Sequence, residues 1–455
     1  MATVIPFRGL SYSPSRIPDL KLVVTPPYDV ISPEKDEEYR RRHPHNVVHV
    51  ILPRPEGAKD KYHHAADLLD AWRREGILVR DETPCFYVVS QRYTMKGLGE
   101  RIRFGLVGRV LIEDDAAGRI LPHERTMDAP RQDRLELLAT TRANLSQVFL
   151  LYSDPEGSMA RLVEGAASRP PERWAVDDIG TKAELWRITE PAALASLSQG
   201  LRDRTLWIAD GHHRYAAARE LRDRLRAQDP SAPGSRSYDY VMGFLTSMDS
   251  PGVTILPYHR AVFGREGLDR AQFIKKAREF FDVKEFAFEG FEPRSEQIRR
   301  KLREAARPGR TVLAAHVGGG SYLLLLIRED LDRAKHLGDA LEGPLQDLDV
   351  SIVHHLLLEK ALGITREEQR EEEGPLRYTD DVDRALAWVD AHEAQVAILL
   401  NPTLKEHLMA VSAAGLQMPP KSTYFYPKVL TGLVLNPLDP VEEVHAAPAI
   451  GTAVG

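Results

Sequence analysis

The run Thr205-Leu206-Trp207-Ile208-Ala209-Asp210-Gly211-His212-His213-Arg214-Tyr215 constrains the fold more than any other stretch of this chain. A short apolar strand ends at Asp210-Gly211 and a charged helix begins at once, so strand and helix pack as neighbours across one tight turn. In that helix Ala217, Leu221 and Leu225 recur at four-residue spacing and form the stripe that lies on a sheet. The turn also carries chemistry. A helix N-terminus presents N–H groups without intrahelical acceptors and a partial positive charge, which favours an anion such as phosphate. Arg214 adds a fork of donors matched to phosphate oxygens, and His212 or His213 can donate a hydrogen bond or exchange a proton. A plain structural reading accounts for Asp210 as N-cap and Gly211 as a turn residue, but gives no reason for His-His-Arg in succession.

At 455 residues the chain is too long for one ordinary domain. Residues 1–250 are expected to hold the phosphate site and 251–455 to form a C-terminal α/β region. A net charge of −6 argues against a dedicated nucleic-acid binder. A single cysteine, Cys85, excludes an internal disulfide framework and fits a reducing cytoplasm. Met1 to Leu10 shows no secretory pattern, and the longest greasy run, Tyr322 to Ile327, reads as a buried strand rather than a membrane span. Lys59 to Glu75 and Asp347 to Leu362 read as helices, Cys85 to Thr94 and Ile102 to Ile112 as paired strands, and Leu20 to Val24 and Val47 to Leu52 as short extended pieces.

Three further clusters could carry chemistry. In Leu121-Pro122-His123-Glu124-Arg125-Thr126, the second histidine of a zinc-protease helix is missing, since Met127 holds its position. His123 or Glu124 could serve as general acid or base, with Thr126 donating to phosphate. Gly415 to Ser422 nearly spells a P-loop, but Pro420 takes the second glycine position and offers neither an N–H nor a positive φ. Lys421, Ser422 and Thr423 could still grip a phosphate, and Tyr424 could stack on a base. The rigid turn Pro26-Pro27-Tyr28-Asp29 fixes Asp29, which with Asp210 could hold Mg²⁺ beside a nucleotide. Pro257-Tyr258-His259-Arg260 is a further polar cluster, as consistent with a surface turn as with a site.

In this order, Pro26-Pro27-Tyr28-Asp29-Val30-Ile31, Leu121-Pro122-His123-Glu124-Arg125-Thr126, Asp210-Gly211-His212-His213-Arg214-Tyr215 and Met418-Pro419-Pro420-Lys421-Ser422-Thr423 resemble family 1015 of the domains of unknown function. The Gly-His-His-Arg turn in addition resembles the phosphate-binding box of the ParB/sulfiredoxin superfamily. That resemblance implies an α+β fold with a ParB/sulfiredoxin-like mixed-sheet core. Sulfiredoxins carry a cysteine in this box, where His212 stands here, so sulfinic-acid reduction is not expected. The serine-kinase branch implies phosphoryl transfer or phosphate hydrolysis on a small phosphorylated metabolite, with serine/phosphoserine and a nucleotide as the leading pair. His212, His213, His123 and Glu124 are then the acid/base candidates. Asp210, Gly211, Arg214, Tyr215, Thr126, Lys421, Ser422 and Thr423 are the phosphate- or substrate-binding candidates, and Mg²⁺ comes with the nucleotide. A nucleotide-binding regulatory or DNA-partitioning protein is the alternative, and a noncatalytic metabolite scaffold a third reading.

Overall fold

The computed structural model describes residues 2–95, 99–114, 118–124, 128–232, 234–307, 309–338, 341–371, 374–439 and 442–444. Thr126 and, of the connection expected around Lys96 to Gly99 between the paired strands, Lys96 to Leu98 lie outside them. The chain divides into two compact units: unit 1 holds residues 1–122, 126–254 and 427–455, and unit 2 holds 123–125 and 255–426. A single cut at 250 was expected. Instead the chain returns at Pro427, and its last stretch completes the first unit.

Unit 1 is built on a mixed sheet, nine-stranded among the described residues. Its strands are β1 (Val4–Ile5), β2 (Phe86–Met95), β3 (Gly99–Leu111), β4 (Ile120–Leu121), β5 (Val148–Tyr152), β6 (Arg173–Val176), β7 (Lys182–Ile188), β8 (Leu206–Asp210) and β9 (Tyr240–Ser247). They lie in the order β4-β8-β5-β9-β3-β2-β7-β6, with β1 beside β3. The β4–β8 and β5–β9 ladders are parallel, and the others described are antiparallel. Side chains alternate across a strand, so the two faces of β3 do different work. Leu106 and Val110 join Val148, Leu150, Ile208 and Val241 in an apolar layer. That layer is covered by helices α1 (Asp128–Thr141), α2 (Ser158–Glu164), α3 (Pro191–Leu201) and α4 (His212–Gln228). The opposite face carries Arg103 and Arg109, both fully buried. The returning segment covers it: Arg109 donates to Asn436 Oδ1 at 2.9 Å and to the Pro437 carbonyl at 3.0 Å.

Unit 2 holds a second sheet, six-stranded among the described residues. It comprises β10 (His259–Phe263), β11 (Phe281–Ala287), β12 (Val312–His316), β13 (Ser321–Ile327), β14 (Leu376–Thr379) and β15 (Ala394–Leu400). The order is β11-β13-β12-β15-β10-β14, and every ladder described in it is antiparallel. The greasy run of β13 is buried on both faces: Leu323, Leu325 and Ile327 in one core, Tyr322, Leu324 and Leu326 in another. Helices cover each side, which explains why alternation is absent from its sequence.

Two expected extended pieces are turns. Leu20–Leu22 is a 3₁₀ turn capped by Asp19, and Val48–Ile51 is a helical turn begun by Asn46, whose Oδ1 accepts the Val48 N–H at 2.9 Å. A short apolar run has no period long enough to separate strand from helix, so the side-chain cap decides. The helix expected from Asp347 runs as α-helix over Asp349–Ile352 and as π-helix over Val353–Ala361.

Gly105 of β3 leaves room for the Phe244 ring, whose centre lies 5.5 Å from the Arg103 guanidinium. An added Cβ would stand 2.1 Å from that ring. Gly105→Ala is expected to destabilise unit 1 by about 1–3 kcal/mol through overpacking, read as a lower urea midpoint.

Candidate functional site

Strand β8 delivers Asp210 to the sheet end, and Gly211 makes the turn with φ +92°, a conformation that a Cβ opposes. Helix α4 then starts with no side-chain cap, its first internal bond running from Tyr215 N–H to the Gly211 carbonyl at 2.9 Å. First-turn N–H groups have no acceptor inside a helix, and this end of α4 therefore favours negative charge.

Around the turn, cations gather on one carboxylate. Lys428 Nζ donates to Asp210 Oδ1 at 2.6 Å, and Arg214 Nη2 donates to Oδ2 at 2.7 Å. The three side chains are 8%, 16% and 11% exposed for Lys428, Asp210 and Arg214, so the pairs are screened little by water. Arg214 also donates to Ser146 Oγ at 3.2 Å and to the Gln147 carbonyl, which fastens the turn to the start of β5. Beneath them Arg103 donates to Gln91 Oε1 and the Pro427 carbonyl, and its guanidinium lies 4.7 Å from the Phe149 ring and 5.5 Å from Phe244. Gln91 Nε2 in turn donates to the Lys428 carbonyl at 2.8 Å.

Burial alone would raise the Asp210 carboxyl, but the Lys428 and Arg214 charges, with His212 nearby, hold it well below the usual carboxylate range. Burial pulls Arg103 down to about 10, which leaves it charged at neutral pH. Tyr28 belongs to the same neighbourhood. Burial, with Asp29 beside it, pushes its phenol up to about 12, and the charges of Arg134, Arg214 and Asp210 act on it as well. The Arg134 guanidinium stands 4.0 Å from its ring. The first and third sequence clusters therefore meet in unit 1.

The second and fourth meet in unit 2. His123 is fully buried and its Nε2 lies 3.0 Å from Thr423 Oγ1. The His123 carbonyl accepts the Met418 N–H at 2.7 Å, and Glu124 Oε1 accepts the Lys421 N–H at 3.4 Å.

Several expected roles change. Arg214 spends its fork on Asp210 and the β5 start, so it builds the turn rather than reaching outward. Asp210 does not fit a Mg²⁺ ligand, because both carboxylate oxygens are held by cations. Asp29 is exposed, and among the described residues no three His, Cys, Asp or Glu side chains gather as a metal-binding group. Tyr215 is a core residue, 7% exposed, whose hydroxyl accepts the Glu113 N–H at 3.3 Å. Ser422 Oγ is turned inward to the Pro419 carbonyl at 2.5 Å, and Thr423 is engaged by His123, so neither hydroxyl points to a phosphate. His212 is buried and His213 half-buried at the start of α4. Burial pushes the Cys85 thiol up to about 12, which keeps it protonated and poorly nucleophilic.

Lys428 and Arg103 are the residues that sequence reasoning missed. A lone lysine heading the apolar run Val429 to Leu435 signals a buried ammonium that needs a carboxylate, but not which one. The partner lies 218 positions away.

A family model described as "Protein of unknown function (DUF1015)" matches residues 4–351, and the chain belongs to that family. No curated protein matches it. Among solved structures, a free serine kinase in complex with AMP is 14% identical, covering 68% of this chain and 83% of its own, with a TM-score of 0.32. A conserved hypothetical protein from Pyrococcus furiosus is 15% identical over 68% and 89% of the two chains, with a TM-score of 0.33. SbnI with C-terminal truncation from Staphylococcus aureus is 10% identical over 74% and 87%, also at 0.33. No helix among the described residues is long and apolar enough to cross a membrane.

Lys428→Met leaves Asp210 with one cation in a poorly solvated place, and is expected to cost about 3–5 kcal/mol in denaturant unfolding. The pH dependence has a definite sign. The folded Asp210 pKa is depressed, so its contribution is complete above the unfolded value near 4 and is lost as pH falls below it. The stability gap between wild type and Asp210→Asn should therefore be widest near neutrality and shrink from about pH 5 downward. A gap that stays constant down to about pH 2 would count against the ion pairs.

Proposed function

We propose that this member of the family is a phosphoryl-transfer or phosphate-hydrolysing enzyme acting on a small phosphorylated metabolite, with its phosphate site at the start of α4. The observation that supports this reading is the uncapped end of a seventeen-residue helix with Arg103, Arg214 and Lys428 around the one carboxylate of Asp210. A phosphoryl group passing between oxygens carries charge that must be met by donors already in place, and little else is asked of the protein. First-turn N–H groups of His212, His213 and Arg214 supply such donors. The buried cations set a positive field at the turn, and Asp210 keeps Lys428 and Arg214 from collapsing onto the anion.

In transfer, the acceptor oxygen forms the new P–O bond as the bond to the leaving oxygen breaks. The acceptor proton passes to His212 or His213, both on the first turn. The choice of serine/phosphoserine with a nucleotide rests on the resemblance of the Gly211 to Arg214 sequence to the ParB/sulfiredoxin phosphate-binding box. Since Asp210 is committed to cations, no step is assigned to Mg²⁺.

A phosphate-release and phosphate-transfer screen across nucleotides, serine, phosphoserine and other phosphorylated metabolites tests this. Lys428→Met and His213→Asn, checked for folding by circular dichroism, should each lower the detected rate about 10²–10³-fold. Wild-type rates in both folded variants would remove the site from the chemistry.

A further inference from the structure

Unit 2 contains a second constellation that the reading above does not use. Lys421 is one of the non-glycine residues with a left-handed backbone, at φ +57°. For a side chain carrying a Cβ that conformation is unfavourable and persists only where surroundings enforce it. Here both sides of the residue are held: its N–H by Glu124 Oε1 at 3.4 Å, its carbonyl by Arg260 Nη2 at 3.0 Å.

Arg260 is fully buried. The same guanidinium that grips the Lys421 carbonyl donates through Nη1 to the Tyr258 carbonyl and through Nη2 to His354 Nε2 at 3.2 Å. His354 is itself fixed. Its Nδ1 lies 2.5 Å from Gln369 Oε1, an acceptor, so Nδ1 carries the hydrogen and Nε2 keeps its lone pair for Arg260. One buried cation thus holds the backbones of Tyr258 and Lys421 together.

These are the two residues whose side chains meet. Lys421 Nζ stands 5.3 Å from the centre of the Tyr258 ring, and no carboxylate among the described residues lies within ion-pair distance of that Nζ. Glu124 addresses the backbone of Lys421, not its ammonium. Tyr258 meets Tyr424 edge-on at 5.2 Å, and Tyr424 and Tyr426 share one face of the strand Tyr424–Tyr426 while Phe425 is buried on the other. Tyr258, Lys421, Tyr424 and Tyr426 are all half-buried, so each retains surface that a ligand can reach.

We propose that Tyr258, Tyr424 and Lys421 form a binding site for a nucleoside phosphate, with the tyrosine rings taking the base, the Lys421 ammonium taking phosphate, and Arg260 acting as the positioning residue. A tyrosine face accepts any base by stacking, and a lysine ammonium meets phosphate as a point charge. The proposal deepens the reading above, on which it rests for a nucleotide as phosphoryl donor, but it stands on residues of unit 2 alone. The tyrosines explain why the motif ends in an aromatic run where a P-loop would begin a helix.

The test is isothermal titration calorimetry of the full chain with AMP, with adenosine and with inorganic phosphate. Tyr258→Leu and Lys421→Gly should each weaken AMP about tenfold. Of these two, only Tyr258→Leu should weaken adenosine. Lys421→Gly relieves the left-handed strain, so its melting temperature should equal or exceed that of wild type, which separates lost binding from lost folding. Should Arg260→Lys fold, it should weaken AMP by a similar factor and adenosine as well, since Arg260 holds the Tyr258 carbonyl too. AMP affinity at the wild-type value in both Tyr258→Leu and Lys421→Gly overturns the site, as does a wild type that binds no AMP. Failure here is distinct from failure of the unit 1 site, which is read from phosphate transfer in Lys428→Met.

Discussion

The sharing of Asp210 between Lys428 and Arg214 is the interaction on which the candidate chemistry of unit 1 depends. A lone carboxylate at that depth would take up a proton, and two cations without it would repel each other. Together they hold the strand end, the helix start and the returning segment in one arrangement. The hydrogen bonds from Arg214 to Ser146 and Gln147 then carry that arrangement into the sheet. A phosphate site at a helix terminus needs such rigidity, because its donors gain their value from being in place beforehand.

Beside the ion pairs at their surfaces, both units bury arginines against specific acceptors. Arg103, Arg109 and Arg260 are each fully buried and each reach backbone carbonyls. Arg260 and Arg103 are both pulled down to about 10 by burial and remain guanidinium at neutral pH. A carbonyl costs nothing in sequence, which is why such hubs leave only an arginine on a strand as their trace.

That bears on what the sequence could reveal. The β8–α4 turn was legible because its signals are local: apolar strand, Gly211, and a helical stripe through Ala217 and Leu221. The core strands were legible for the same reason, Cys85 to Thr94 and Tyr322 to Ile327 above all. The roles of Arg214, Ser422 and Thr423 were not, since a donor's direction depends on which acceptors the fold brings near. Asp210 as a metal ligand failed on the same ground, because Lys428 arrives from the far end of the chain. His123 with Thr423 shows the opposite case, where two separately noted clusters proved to be one another's partners.

The return of the chain at Pro427 sets an order on biosynthesis. When the ribosome has added Tyr426, every residue of unit 2 has been made, while unit 1 still lacks the strip that covers Arg103 and Arg109 and the ammonium that meets Asp210. Unit 1, begun first, is thus completed after unit 2. Until Lys428 emerges, the helix turn with its paired histidines sits beside a carboxylate missing one of its two cations, so the nascent chain cannot yet adopt the final charge arrangement of that turn.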